Sequence, residues 1–434
     1  MFEFKKLIPR RVINTYHLLV SIIANIYYGN PSKKIKIIGV TGTKGKTTSS
    51  YYLKQILNTK CRIGIICTTG IEIGTYRVNS SFHVTTPSPF TLQKYIREAV
   101  KQKLEWLIIE TSSHGFDQNR LWGINFNIGI VTNIASDHLD YHKTWENYAL
   151  AKSKIITQLK PNGLILLNTD DKKSYTYMKS IAKKLNKKII SYGVKNTKTD
   201  VSAKILSSSI DGIKFRFQSQ DYLLKAFGDF NLYNILPTLY ISQLLGISQK
   251  NLKFALKNIL NPPGRMEIVH KNPYIIIDFA HNQISLEIAL RNLLPLKPNS
   301  DSKLISVFGC PGLRDSGRRI MGKISAKYSD LTIITADDPR TEKVEDISLE
   351  IEKWAINGKA DLFDIKKSKL NTNKHYYLKI NNRKDAINTA IKISHNKDII
   401  YITGMGPQNT MAVGKLEIPW NDKKIVKSLL RASS

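Results

Sequence analysis

The chain has 434 residues, 42% of them hydrophobic and 23% charged, a length and composition that fit a globular protein of two or three domains and exclude a fibrous or disordered one. Its 66 basic and 34 acidic residues give a formal charge of +32. The lysines are spread along the whole chain, with no zinc-finger spacing, basic zipper or aromatic RNP-type run, so no nucleic-acid partner is expected. Cys61, Cys67 and Cys310 form no disulfide framework, which fits a reducing, cytoplasmic compartment.

Residues 1–34 read as a helical segment. Residues 4–11 are basic and residues 18–28 largely apolar, like the first two regions of a signal peptide. No small-residue cleavage site follows, and the apolar run is too short to span a bilayer. The spacing predicts a helix packed on the next domain, with peripheral membrane contact as the alternative. From residue 35 the pattern is strand, loop, helix, repeated. The apolar runs at 35–40, 106–110, 128–134 and 164–168 have the texture of buried parallel strands, with functional groups at their carboxyl ends. Between 201 and 227 apolar and polar residues alternate, predicting an antiparallel patch, and a helix is predicted over 231–245.

Asn261-Pro262-Pro263-Gly264 breaks both helix and strand and marks a domain boundary. Beyond it, strands are predicted at 274–280, 304–310, 331–336 and 399–403 with helices between them. The chain is thus expected to be α/β throughout: a segment at 1–34, a central domain at 35–262 with a mostly parallel sheet, and a Rossmann-like domain at 263–434.

Gly39-Val40-Thr41-Gly42-Thr43-Lys44-Gly45-Lys46-Thr47-Thr48 follows a strand and opens a helix. Such a loop turns backbone N–H groups toward phosphate oxygens, while Lys46 adds a cation and the Thr47 hydroxyl can reach Mg²⁺. Here the chain resembles the Mur ligases, the ATP-dependent enzymes that add amino acids to the peptidoglycan precursor. Further elements occur in that family's order: Thr85-Thr86-Pro87, Glu110-Thr111-Ser112-Ser113-His114, Asn133, Asp137-His138-Leu139-Asp140-Tyr141-His142, Ala151-Lys152, Phe230-Asn231-Leu232-Tyr233-Asn234, Pro263-Gly264-Arg265-Met266-Glu267 and Asp278-Phe279-Ala280-His281. Thr-Thr-Pro and Asp-His-Leu-Asp-Tyr-His are most similar to the branch that adds the third residue of the stem peptide.

The resemblance implies a P-loop-type central ATPase domain and a carboxyl-terminal ligase domain. It assigns ATP contacts to Gly42, Thr43, Lys44, Gly45, Lys46, Thr47, Thr48, Asn133, Asn231, Arg265 and Asp278, with Asp278 on the ribose and Asn231 near the adenine. Thr47, Glu110 and His138 would hold Mg²⁺, joined by Lys152 as a CO₂-derived carbamate that can hold a second metal. Lys46, Lys152, Arg265 and His281 would be catalytic, Arg265 being placed for closure to carry it to the γ-phosphate. Thr85, Thr86, Ser112, Gln118 and Arg120 match positions that hold the precursor, UDP-MurNAc-L-Ala-D-Glu. Arg314, Asp337, Asp338, Pro339, Arg340, Gly404 and Gln408 would read the incoming diamino acid. An arginine there can clamp a distal carboxylate bidentately, which favours meso-diaminopimelate over L-lysine. A ligase of small-molecule substrates, acting as a monomer, is expected.

The chain departs from the pattern at four places. Only 38 residues precede Gly39, where the family carries a uridine-gripping domain of about a hundred residues, so the UDP end is expected to be held by other surfaces or by a partner. Lys44 replaces the usual Asn, Asp338 replaces another, and the family's Gly-Lys-Gly-His-Glu reads Gly404-Met405-Gly406-Pro407-Gln408. The same phosphate chemistry would serve another ligase of the superfamily, such as a folylpolyglutamate synthetase-like enzyme, and the departures leave room for a non-catalytic nucleotide binder.

Overall fold

A computed structural model describes residues 10–78, 85–135, 137–313, 316–365 and 374–432, apart from the side chains of Arg10, Arg11, Asp140 and Ser316. The chain separates into two units, Met1–Leu260 and Asn261–Ser434, parted just ahead of the Pro-Pro-Gly turn. Among the described residues no helix is long and apolar enough to cross a membrane.

The first unit opens with α1 (Arg10–Tyr27), β1 (Lys36–Thr41), α2 (Lys46–Leu57), β2 (Ile63–Cys67), β3 (Gly70–Ile73), β4 (Tyr76–Val78), α3 (Pro89–Lys101) and β5 (Trp106–Glu110). It continues with α4 (Ser113–Asp117), β6 (Phe126–Val131), α5 (Leu139–His142), α6 (Trp145–Thr157), β7 (Leu159–Asn168), α7 (Lys172–Lys184), β8 (Lys188–Gly193) and β9 (Val201–Ser202). A three-stranded antiparallel sheet, β10 (Lys204–Ser209), β11 (Gly212–Phe217) and β12 (Gln220–Leu224), precedes α8 (Phe230–Leu244) and α9 (Gln249–Lys257).

The nine main strands lie in the order β4-β3-β2-β5-β1-β6-β7-β8-β9. Strands β2 to β9 of that order run parallel, and β3 and β4 add an antiparallel edge. Strand β1 is central and buried beyond its first residue, with Ile37 in one core and Ile38 and Val40 in the other. That two-sided burial is why its sequence is continuously apolar instead of alternating. Helices begin where the sequence offers caps: Ser88 ahead of Pro89 on α3, and Thr144, whose hydroxyl accepts from Asn147 N at 3.1 Å, on α6. The apolar run at 128–134 outlasts its strand, which ends at Val131. Thr132 still donates its N–H to Thr41 O at 3.0 Å, and its hydroxyl donates to Lys44 O at 2.7 Å, fastening the strand's end to the loop.

The second unit holds β13 (Glu267–Lys271), β14 (Tyr274–Ile277), α10 (Gln283–Leu293), β15 (Leu304–Phe308), α11 (Met321–Tyr328), β16 (Leu331–Ile334) and α12 (Val344–Asn357). Then come β17 (Ala360–Leu362), β18 (His375–Lys379), α13 (Arg383–Ile393), β19 (Ile399–Ile402), β20 (Thr410–Val413), β21 (Leu416–Pro419) and α14 (Asp422–Ala432). Its sheet runs β13-β14-β19-β15-β16-β18-β17, parallel except for β13. In doubly wound sheets of this kind, ligands sit outside the carboxyl ends of the strands.

Candidate active site

The phosphate loop hangs between the carboxyl end of β1 and the first turn of α2. Gly45 has φ +81°, and a Cβ there would stand 2.3 Å from Asn234 Oδ1. Only glycine fits both demands. Asn133 props the loop from β6's end, accepting from Lys44 N at 2.9 Å and donating to Lys44 O at 3.0 Å, while Thr43 N donates to Asn133 O at 2.8 Å. The Lys46 ammonium folds back onto Thr43 O at 3.0 Å. The N-terminal turn of α2 points its N–H groups toward the loop, and with the helix dipole it makes an anion seat.

Glu110 ends β5, the strand beside β1, in register with Val40. Its buried carboxylate accepts from the Thr47 hydroxyl, 3.0 Å from each oxygen, and from Thr68 N at 3.0 Å. Among the described residues no group of three His, Cys, Asp or Glu side chains is placed to hold a metal unaided. One carboxylate and one hydroxyl beside a phosphate seat nevertheless fit Mg²⁺, which keeps waters and phosphate oxygens for the rest of its shell.

Lys152, on α6, is 1% exposed, and its amine donates to Gly42 O at 2.8 Å. It stands 4.7 Å from the centre of the Tyr148 ring, one helical turn back. Burial holds this amine well below the ordinary lysine value; the charge of Lys46 pushes the same way, against Asp137 and Glu110. Tyr148 Oη lies 3.2 Å from Thr43 Oγ1, tying α6 to the loop. The exposed His138, in left-handed backbone at φ 54°, packs its ring 5.0 Å from His114 and 6.3 Å from Tyr148. Lys46, Glu110, His138 and Lys152 are therefore brought together around the ends of β1, β5 and β6.

The positions matched to the precursor form one hydrogen-bonded strip. Thr86 Oγ1 accepts from Ser112 N at 3.0 Å and lies 3.0 Å from Ser112 Oγ. Arg120 donates to Thr86 O at 2.8 Å and to Gln118 Oε1, and Gln118 donates to Tyr141 Oη at 3.4 Å. Thr85 is half-buried at its edge. Asn231 sits further back: its amide donates to Phe227 O at 2.8 Å and accepts from Asn234 at 3.0 Å, the residue that abuts Gly45. Its side chain is buried and stands one layer behind the loop.

In the second unit, Asp278 follows β14 and accepts from Met266 N at 3.0 Å and Tyr401 Oη at 2.8 Å. The cap of α10 is Asn282, so Asp278 is not spent there. The Arg265 guanidinium lies 4.5 Å over the Phe279 ring, which also packs 4.8 Å from His281. A second group gathers around β16 and β19. Asp338 accepts from Ala412 N at 2.8 Å, Arg340 N donates to Ala412 O at 2.9 Å, and Gln408 N donates to Met405 O at 3.0 Å. Pro339 O faces Gly312, and Gly404 lies against the Asp337 carboxylate. Burial pushes Asp337 up to about 7, with Arg383 opposing. Arg314 falls outside the described residues.

Sequence reasoning assigned no role to Tyr148 or to the Arg383–Asp422 pair. Tyr148 had a usable signal, since a residue four before Lys152 shares its helix face. Arg383 and Asp422 had none. They meet bidentately at 2.8 and 2.7 Å, fully buried, and Arg383 also donates to Ala336 O and Thr403 O, holding together the loops after β16 and β19.

A nucleotide loop, a metal-fitting carboxylate and a buried amine at the head of a parallel sheet define a phosphoryl-transferring α/β enzyme. The family model described as the Mur ligase middle domain matches residues 40–241, and that described as the Mur ligase, glutamate ligase domain matches 264–406. A relative from Clostridium botulinum named UDP-N-acetylmuramoyl-L-alanyl-D-glutamate--2,6-diaminopimelate ligase is 34% identical over 426 residues, 95% of this chain and 81% of the relative. The chain belongs to the Mur ligase family, and with it comes ligase chemistry that uses ATP and Mg²⁺. A solved structure bearing the same ligase name is 28% identical, with a TM-score of 0.64 over 92% of this chain and 79% of that one. Folylpolyglutamate synthase of Mycobacterium tuberculosis, at 17% identity and a TM-score of 0.68 over 89% of this chain and 92% of that one, shares the fold.

Proposed function

We propose that this chain joins a diamino acid, meso-diaminopimelate ahead of L-lysine, to the D-glutamyl γ-carboxylate of UDP-MurNAc-L-Ala-D-Glu through an acyl phosphate. Residues 35–262 bind ATP and the precursor, and 263–434 receive the amino acid. The substrate assignment is supported by relatives of that name aligning along 95% of the chain. The atomic observation that carries the reaction is Lys152, a buried amine with a weakened hold on its proton beside a phosphate loop.

The loop N–H groups and Lys46 cradle the terminal phosphates, and Arg265, Asp278 and His281 serve the nucleotide. Mg²⁺ bound at Thr47 and Glu110 supplies charge neutralisation as two anions approach. The uncharged Lys152 amine adds to CO₂, forming an N–C bond and releasing a proton, and the resulting carbamate anion, with His138, would hold a second metal. The strip from Thr86 to Arg120 holds the precursor while its carboxylate oxygen attacks the γ-phosphorus of ATP; the bond to the β–γ bridging oxygen breaks and ADP leaves. The incoming amine, having lost a proton, attacks the acyl carbon; the tetrahedral adduct sheds a second proton from its nitrogen to solvent, and phosphate leaves. Arg340 pairs with the amino acid's distal carboxylate, with Asp337, Asp338 and Gln408 around it.

The test supplies purified chain with precursor, ATP, Mg²⁺ and bicarbonate, and meso-diaminopimelate, L-lysine or no amino acid in separate arms. Phosphate release with a product heavier by one diaminopimelyl residue is expected. No turnover in any arm, or turnover only with a folate and glutamate, would overturn the proposal.

A further inference from the structure

Helix α1 turns the wrong face inward for a helix that merely packs on its domain. Ala24 and Asn25 are 0% and 3% exposed, whereas Val12, Tyr16, Leu19, Ile23, Ile26 and Tyr27 range from 55% at Leu19 to 73% at Tyr27. Spacings of three and four place that apolar set on a single stripe, the set that ordinarily faces the core. Beside the buried Ala24, the inward contacts include polar ones: Asn119 donates to Asn14 O at 3.4 Å, Asn14 donates to Asp117 at 3.5 Å, and Asn25 abuts Gly123. They fix the helix with its greasy side out. The stripe continues onto α3 through Phe90, whose exposed ring lies 6.1 Å from Tyr27.

Charge selects the occupant. Lys5, Lys6, Arg10, Arg11, Lys33 and Lys34 flank or open the helix, and Glu3 is the one acidic residue in 1–34. A second copy would set this positive charge against itself, whereas anionic headgroups would meet it with the opposite sign. Eighteen residues rise only about 27 Å, so the helix is suited to lying in the interface and not to crossing it. We propose that α1 is a docking surface for an anionic lipid bilayer.

The test is co-sedimentation of the full chain with vesicles of phosphatidylcholine alone or mixed with phosphatidylglycerol. Binding is expected to the mixed vesicles and to weaken as salt rises. Leu19→Glu with Ile23→Glu should reduce partitioning more than tenfold while leaving the unfolding midpoint unchanged, since both side chains already face solvent. Lys5→Gln with Lys6→Gln should cost about fivefold per charge. Equal partitioning to neutral and mixed vesicles, or a Glu variant that binds like the parent, would overturn the proposal. So would a dimer in sedimentation velocity that the Glu variant breaks while no vesicle captures the parent, which would assign the stripe to a second copy.

Discussion

Replacing Lys152 by methionine should separate stability from activity. The parent side chain is buried and, among the described residues, makes one hydrogen bond, to Gly42 O at 2.8 Å. An amine with three donors and one buried partner costs about 1–3 kcal/mol relative to an apolar chain of similar length. In a unit of this size that corresponds to a rise in unfolding midpoint of roughly 2–10 °C for Lys152→Met. The sign with pH follows from the lowered pKa. The folded amine sheds its proton below the ordinary 10.5, so the unfolded chain binds more protons and the parent gains stability as pH climbs toward that value. The advantage of methionine is therefore largest near neutrality and narrows in alkali. Activity should move the other way, because methionine can form no carbamate; a loss of roughly a thousandfold in rate, about 4 kcal/mol of transition-state stabilisation, is expected. Scanning calorimetry of CO₂-free protein at several pH values, beside ADP formation with bicarbonate present, measures both. A methionine variant less stable than the parent, or one with unimpaired turnover, would refute the reasoning.

Gly45→Ala pairs a left-handed backbone cost of about 1–2 kcal/mol with a Cβ 2.3 Å from Asn234 Oδ1; calorimetric titration should show ATP affinity down at least tenfold, and normal affinity would mean that the loop yields freely. Arg383→Met leaves Asp422 buried without its partner and should destabilise the second unit by about 3–5 kcal/mol in urea unfolding; an unchanged midpoint would show the pair to be dispensable. Asp337→Asn should remove a pH dependence: with its carboxyl raised to about 7 from 3.8, chiefly by burial, the folded parent binds the extra proton and loses stability as pH rises between those values. The asparagine variant should lack that slope in denaturant midpoints across the same range.

The strands at the centre of each sheet were legible because burial on both faces leaves an uninterrupted apolar run, as at 106–110, which is β5 itself. Their ends were less so. The run at 274–280 continues three residues past β14, since Asp278 and Ala280 stay buried in the turn that follows. Motif order singled out Lys46, Glu110, His138 and Lys152 as candidates, but only the folded chain shows Tyr148 reaching Thr43, or Asn231 spending its amide on Phe227. Arg383 and Asp422 lie 39 positions apart and bear no pattern of their own. Contacts set by tertiary packing leave no local trace.

The pairing of Val40 with Glu110 has an evolutionary corollary. Nucleotide loop and metal-fitting carboxylate are spaced by a ladder of main-chain hydrogen bonds, about 4.8 Å from one strand to the next, whatever side chains the strands carry. A lineage can thus exchange most residues beneath the catalytic centre, as the 34% identity with the clostridial relative implies this one has, without rescaling the gap across which phosphate and carboxylate must meet. Mutational drift is absorbed in the floor of the molecule, while the ruler above it is cut from backbone.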